Sequence, residues 1–202
     1  MSLRLILCEA AMAEDSVITI NAIESGWLEM HVASSVTPGG IVVIRLPASS
    51  CDPLAELSAI FLDIAALYDQ DGVPAEPDLH FYIFWEIDPV MYSYVFSPEK
   101  QWRVGVELTC CSNIHAGIHL RHDVQLSAVV EFKLQVRNLY LEMRNVLNKY
   151  GLTGYREKWQ KQDFPVSAFL KIYQLATGTP VISGDFASEL KALQEILDKK
   201  DI

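Results

Sequence analysis

Seven apolar residues, Val129, Phe132, Val136, Leu139, Met143, Val146 and Tyr150, recur at alternating steps of three and four. That spacing lays them along one stripe of a helix. Leu134, Tyr140, Leu141 and Leu147 widen the stripe, while Glu131, Lys133, Arg137, Glu142, Arg144 and Lys149 fall between and face water. A helix of roughly 24 residues is about 36 Å long at 1.5 Å per residue, enough to cross a small domain and cover a sheet. Gly151 sits where a left-handed residue ends a helix. The organising stretch, Val124–Leu175, continues through Gly154, Tyr155, Trp159 and Phe164 to Pro165. That proline suits the first turn of a second helix, Pro165–Leu175. Tyr155, Trp159 and Phe164 are expected to fold the intervening turn back onto the core.

The rest of the chain reads as strands before helices. Val17–Ile23 and Trp27–Val32 flank Glu24-Ser25-Gly26 as a hairpin, and Leu28, Met30 and Val32 alternate with Glu29 and His31. Ile41–Leu46 is continuously apolar and is expected to be a buried strand. Asp52 and Pro53 make an N-cap and first-turn pair for a helix to about Tyr68. Leu79–Leu108 alternates apolar and polar residues in three runs joined by short turns, an antiparallel meander. Cys110–Asp123 is ambiguous, with room for one further strand at Ile114–Leu120. After a turn-rich Gly178–Gly184, Asp185 caps a last helix that turns Phe186, Leu190, Leu193 and Leu197 inward. The pattern predicts an α+β fold: an antiparallel meander of about five to seven strands, packed by a long C-terminal helix with shorter helices beside it. Residues 1–15 read as a lead-in, with Met12 an alternative start, 16–177 as one domain, and 178–202 as a linker and helix on that domain.

Composition narrows the functional classes. Four cysteines in 202 residues, two of them adjacent, are not a disulfide framework and point to a reduced, cytoplasmic protein. No run reaches the length of a transmembrane helix. The formal charge is −10, and it is skewed: three basic against fifteen acidic residues in 1–100, thirteen against eleven in 101–202. Such an acidic half disfavours nucleic acid and anionic membranes and favours a basic protein partner. Glu24, Glu29, Glu86 and Asp88 are the candidate contacts.

No linear catalytic signature is present, and no cofactor is implied. His115, His119 and His122, near Cys110, Cys111 and Asp123, are the weak candidates for a metal site, and with nearby acids for a metal-dependent or hydrolytic enzyme. On a strand, His115 and His119 share a face and His122 does not. Asp69, Asp71 and Gly72 echo the start of a calcium loop without its later ligands. Glu86 and Asp88 are candidate paired carboxylates, and Cys51 lies near a helix N-terminus, where a thiol can be activated. The aromatic meander could instead pair with its own copy as an oligomeric module.

The residues Gly151, Gly154-Tyr155, Trp159 and Phe164-Pro165, following a long helix, form a Gly-x-x-Gly-Tyr-x-x-x-Trp turn with Phe-Pro. With Asp52-Pro53-Leu54 and the aromatic meander before it, this order resembles a set of uncharacterised bacterial proteins over residues 17–176. Some members look like small acidic immunity proteins encoded beside toxins. The resemblance implies a protein that binds and neutralises a basic toxin, and carries no catalytic residues with it.

Overall fold

The computed structural model describes residues 18–33, 40–87, 90–112, 121–160, 162–181 and 185–198. Among the described residues, seven strands form two antiparallel sheets. β1 (Ile18–Glu24), β2 (Trp27–Ala33) and β3 (Ile41–Pro47) make the first, and β4 (Phe81–Ile87), β5 (Val90–Glu99), β6 (Arg103–Ser112) and β7 (Arg121–Glu131) make the second, each in sequence order. The helices are α1 (Pro53–Leu67), α2 (Phe132–Trp159), α3 (Val166–Thr177) and α4 (Phe186–Asp198). The α+β class and the antiparallel meander read from the sequence are what the chain adopts.

Period-two alternation decides which face of each sheet is dry. Ile23, Leu28, Met30, Val32, Ile44 and Leu46 turn inward from the first sheet. Ile83, Trp85, Tyr94, Phe96, Val104, Val106 and Leu108 do so from the second. The apolar run of β3 is not buried throughout, because it is an edge strand with one wet face: Ile41 and Val43 point outward opposite Ala33 and His31. The β1–β2 turn places Ser25 and Gly26 at φ 53° and 77°, the left-handed pair that suits a tight hairpin. Gly26 is doubly required. Its N–H donates to the Lys158 carbonyl at 2.7 Å, and a Cβ there would meet Gln160 Oε1 at 3.0 Å.

α1 begins as its sequence predicts. Asp52 accepts from the Ala55 amide at 3.1 Å, and Glu56 Oε1 accepts from the Asp52 amide at 3.2 Å. Glu56 Oε2 also accepts from Trp85 Nε1 at 2.8 Å, which ties the helix start to β4. Phe61 meets Phe96 and Phe132 edge-on at centroid distances of 5.7 and 5.8 Å.

α2 differs from its prediction at both ends. Val124–Glu131 belongs to β7, not to the helix, and Val129 is exposed on the strand. Leu126, Ala128 and Val130 face the core there, and β6 supplies the ladder partners from Arg103 to Ser112. Gly151 takes φ 65°, ψ −178°, but kinks the helix rather than ending it, and the chain resumes helix through Trp159. Tyr155 and Trp159 then sit fully buried, and Phe164 nearly so, as expected of that turn. Tyr155 packs against Phe164 at 5.3 Å, and Phe164 against Phe169 at 5.9 Å. Pro165 is the residue before α3 rather than its first.

α2 also closes the edge of β1. The amides of Ile20 and Ile23 donate to Glu142 Oε2 at 2.8 Å and Tyr150 Oη at 3.1 Å. An edge so occupied cannot template another strand there. α4 is capped by Asp185, whose Oδ1 accepts from the Ser188 amide at 2.7 Å. Only Leu193 and Ile196 of α4 are buried; Phe186 is 79% exposed and Leu190 also points outward. The helix packs through its second half, where Arg144 Nη2 donates to the Leu197 carbonyl at 3.3 Å, so its first turns stand clear.

Two stability measurements follow from this core. Trp159→Ala should cost about 3–5 kcal/mol in denaturant unfolding, as large buried aromatics do. Tyr155→Phe should be neutral or stabilising, because its buried hydroxyl has no hydrogen-bond partner among the described residues. Burial raises the carboxyl of Glu142, against the opposing hydrogen bond from Ile20. The folded chain therefore binds more protons than the unfolded one between the two pKa values, and loses stability as pH rises through that interval. Glu142→Gln should melt above wild type at pH 8 and match it well below the carboxylate range, with the difference read by thermal scans across pH.

Candidate interaction surface

The outer face of the second sheet follows from its register. Tyr82, Val95, Glu107 and Ser127 form one row, Phe84, Ser93, Thr109 and Val124 the next, and Glu86 with Met91 begins a third. β4 has a strand partner on one side only among the described residues. Tyr82 is 53% and Phe84 58% exposed, and their rings stack at 6.0 Å with 4° between planes. His80 meets Tyr82 edge-on and bonds Ser97 Oγ through Nδ1 at 2.7 Å. Val124 and Val129 add apolar surface across the sheet. The acids nearest these rings are Glu86 and Glu107, the latter accepting from Thr109 Oγ1 at 3.3 Å. In the first two rows no lysine or arginine stands among the described side chains; Arg103 lies at the far end, paired in register with Glu99 and Glu131. Two aromatic rings at this exposure are a larger apolar patch than isolated surface residues make.

The predicted contact residues do not gather in one place. Glu86 lies on this surface. Asp88 falls outside the described residues. Glu24 and Glu29 lie on the outer face of the first sheet, where Glu24 neighbours Trp27. Glu29 is not a free acid: Asn21 Nδ2 bonds its Oε1, Arg45 Nε donates to Oε2 at 2.9 Å, and His31 Nε2 lies 3.3 Å from Oε1. The Asn21 bond, followed by that of Arg45, holds its carboxyl below the usual range. Tyr82 and Phe84 were visible in the sequence as aromatics of an alternating strand, but alternation alone left open which set faced the core.

His115 and His119 lie outside the described residues, and His122 is a residue of β7. Among the described residues no group of three metal-ligating side chains converges. Cys110 and Cys111 follow one another in β6, and Cys110 lies in register with Tyr92 and Asp123. Cys51 is buried, its Sγ 3.7 Å from the Pro47 carbonyl that it donates to. Burial first, then the Glu56 and Asp52 carboxylates, push its thiol up to about 12, so the helix N-terminus does not activate it. Asp69 spends its Oδ1 on the amides of Asp71 and Val73, closing its own loop.

A cavity of about 500 Å³ opens between α3 and α4, lined by Leu152, Val166, Leu170, Phe186 and Leu190 among others. Its lining is mainly apolar, with Ser167, Lys171, Gln174 and Glu189 among it, and includes none of the acids identified above. Among the described residues no helix is long and apolar enough to cross a membrane. No family model matches the chain, and no curated protein or solved structure shows significant similarity to it.

Both rings are more than half exposed, so the double variant Tyr82→Ser, Phe84→Ser should stay within about 0.5 kcal/mol of wild type in urea unfolding. A loss comparable to that of a core aromatic would instead make the pair structural.

Proposed function

We propose that the chain is an acidic protein-binding module that takes a basic partner on the outer face of its four-stranded sheet. The observation that carries this reading is the stacked, half-exposed Tyr82–Phe84 pair bordered by Glu86 and Glu107. Aromatic side chains are the usual anchors of protein interfaces, because they bury large areas at little entropic cost. Their ring faces attract arginine and lysine, and the flanking carboxylates accept the same cations. A partner rich in arginine, with apolar residues between, satisfies both features. The net charge of −10 adds long-range steering of that partner and repels phosphate backbones.

Within this reading the protein acts in the cytoplasm as an immunity protein. It would cover a functional surface of a basic toxin, as the resemblance of its Gly-Tyr-Trp and Phe-Pro turn implies. Neutralisation then requires only occupancy, so the absence of a linear catalytic signature is in keeping with it.

The test is binding to the purified product of the reading frame immediately upstream of its gene. Wild-type chain should bind with an on-rate that falls steeply between low and physiological salt. Glu86→Lys with Glu107→Lys should slow association about tenfold, whereas Phe84→Ser should act mainly on dissociation and weaken binding by about ten- to a hundredfold. Binding unchanged in both variants would place any interface elsewhere.

A further inference from the structure

The outer face of the first sheet is a second apolar surface with a different charge pattern. Trp27, Ile41 and Val43 are 47%, 48% and 48% exposed. Between them the register sets Glu29 beside Arg45, His31 beside Val43, Trp27 beside Pro47 and Ala33 beside Ile41. The β2–β3 half of this face therefore carries one carboxylate and one guanidinium, bonded to each other. Arg45 still has 72% of its side chain exposed, against 20% for Glu29. In a chain of net charge −10, this is a surface on which two copies can meet without opposing unpaired acids.

We infer that this face associates with the same face of a second copy of the chain. A two-fold axis lying between the sheets, parallel to the strands and midway between β2 and β3, sets β2 of each copy over β3 of the other. Because each residue of β2 shares a row with its β3 neighbour, that operation puts Glu29 over Arg45 of the second copy. It also puts Trp27 over Pro47, His31 over Val43, and Ala33 over Ile41. The charges close into a ring of two carboxylates and two guanidiniums with no net charge. The Nε of each Arg45 stays on its own Glu29, and its terminal nitrogens are free to reach across. Sheets packed face to face lie about 10 Å apart, a distance that long side chains fill from both sides. The contact is closed and self-complementary, as a two-fold dimer requires.

Its size sets its strength. Strands of seven residues rise about 23 Å, and the two strands that overlie span about 10 Å, so the face is small beside the ~800 Å² per partner of a standard interface. The dimer is weak and concentration-dependent. This inference stands independently of the function proposed above, which uses the other sheet.

Sedimentation equilibrium of the full chain, from micromolar to near-millimolar concentration, tests it. Wild type should shift from monomer toward dimer across that range. Trp27→Glu should weaken the dimer at least about tenfold, and Arg45→Glu, which places four carboxylates in the ring, should leave only monomer. The exchanged pair Glu29→Arg, Arg45→Glu rebuilds the ring with its charges reversed and should restore the dimer to within a few-fold of wild type. Circular dichroism identifies any variant that fails to fold, and the exchanged pair carries the decision if a single variant does. A wild type that stays monomeric throughout would overturn the inference. So would a dimer indifferent to both Trp27→Glu and Arg45→Glu, or one that Phe84→Ser dissociates instead.

Discussion

Everything in this molecule depends on how α2 is held at its two ends. At its start Phe132 is buried between Phe61 and Tyr68, and its amide donates to the Trp102 carbonyl at 2.8 Å. At its far end the Lys158 carbonyl receives the Gly26 amide from the hairpin of the other sheet. Between them Glu142 and Tyr150 satisfy the open edge of β1. One helix thus fixes both sheets against a shared core, and its side chains complete backbone hydrogen bonds of β1. The aromatic turn after Gly151 secures this arrangement, since Tyr155, Trp159 and Phe164 bury their rings where the chain reverses into α3.

Much of that plan was legible because local chemistry and the final fold agree. Asp52-Pro53 marked α1, Ser25-Gly26 marked the hairpin, and the rings of the C-terminal turn went where their apolar area required. The failures have physical causes. Val129 joins the helical stripe through its spacing from Phe132, yet Leu126, Ala128 and Val130 alternate as a strand, and only the ladder with β6 decides for β7. Ile41–Leu46 reads as wholly apolar, yet an edge strand with one wet face leaves Ile41 and Val43 outside. Phe186 and Leu190 fit the inward stripe of α4, but a helix follows its amphipathic pattern only where a partner lies beneath it, and here that is the second half.

The candidate contacts were harder to read because sequence reports charge without reporting engagement. Glu29 looked like a surface acid and is instead held by Asn21, Arg45 and His31, partners eight, sixteen and two residues away. Glu86 looked equivalent and lies beside two stacked, exposed rings. The same distinction separates the two outer sheet faces. One presents aromatics with unbalanced acids, which suits a basic partner; the β2–β3 half of the other pairs its charges internally, which suits a copy of itself. A single acidic chain can in this way offer two surfaces of different selectivity, since like-charged faces reject one another and balanced ones do not.

The central claim is that the aromatic and acidic face of the four-stranded sheet is where a basic protein lands. Backbone amide NMR spectra of the labelled chain, titrated with the product of the adjacent upstream reading frame, address it most directly. The account predicts that the largest shifts fall on Tyr82–Glu86 and on their register partners in β5 and β6, with α3 and α4 unmoved. Shifts confined to the apolar groove between α3 and α4, or to the first sheet alone, would contradict it.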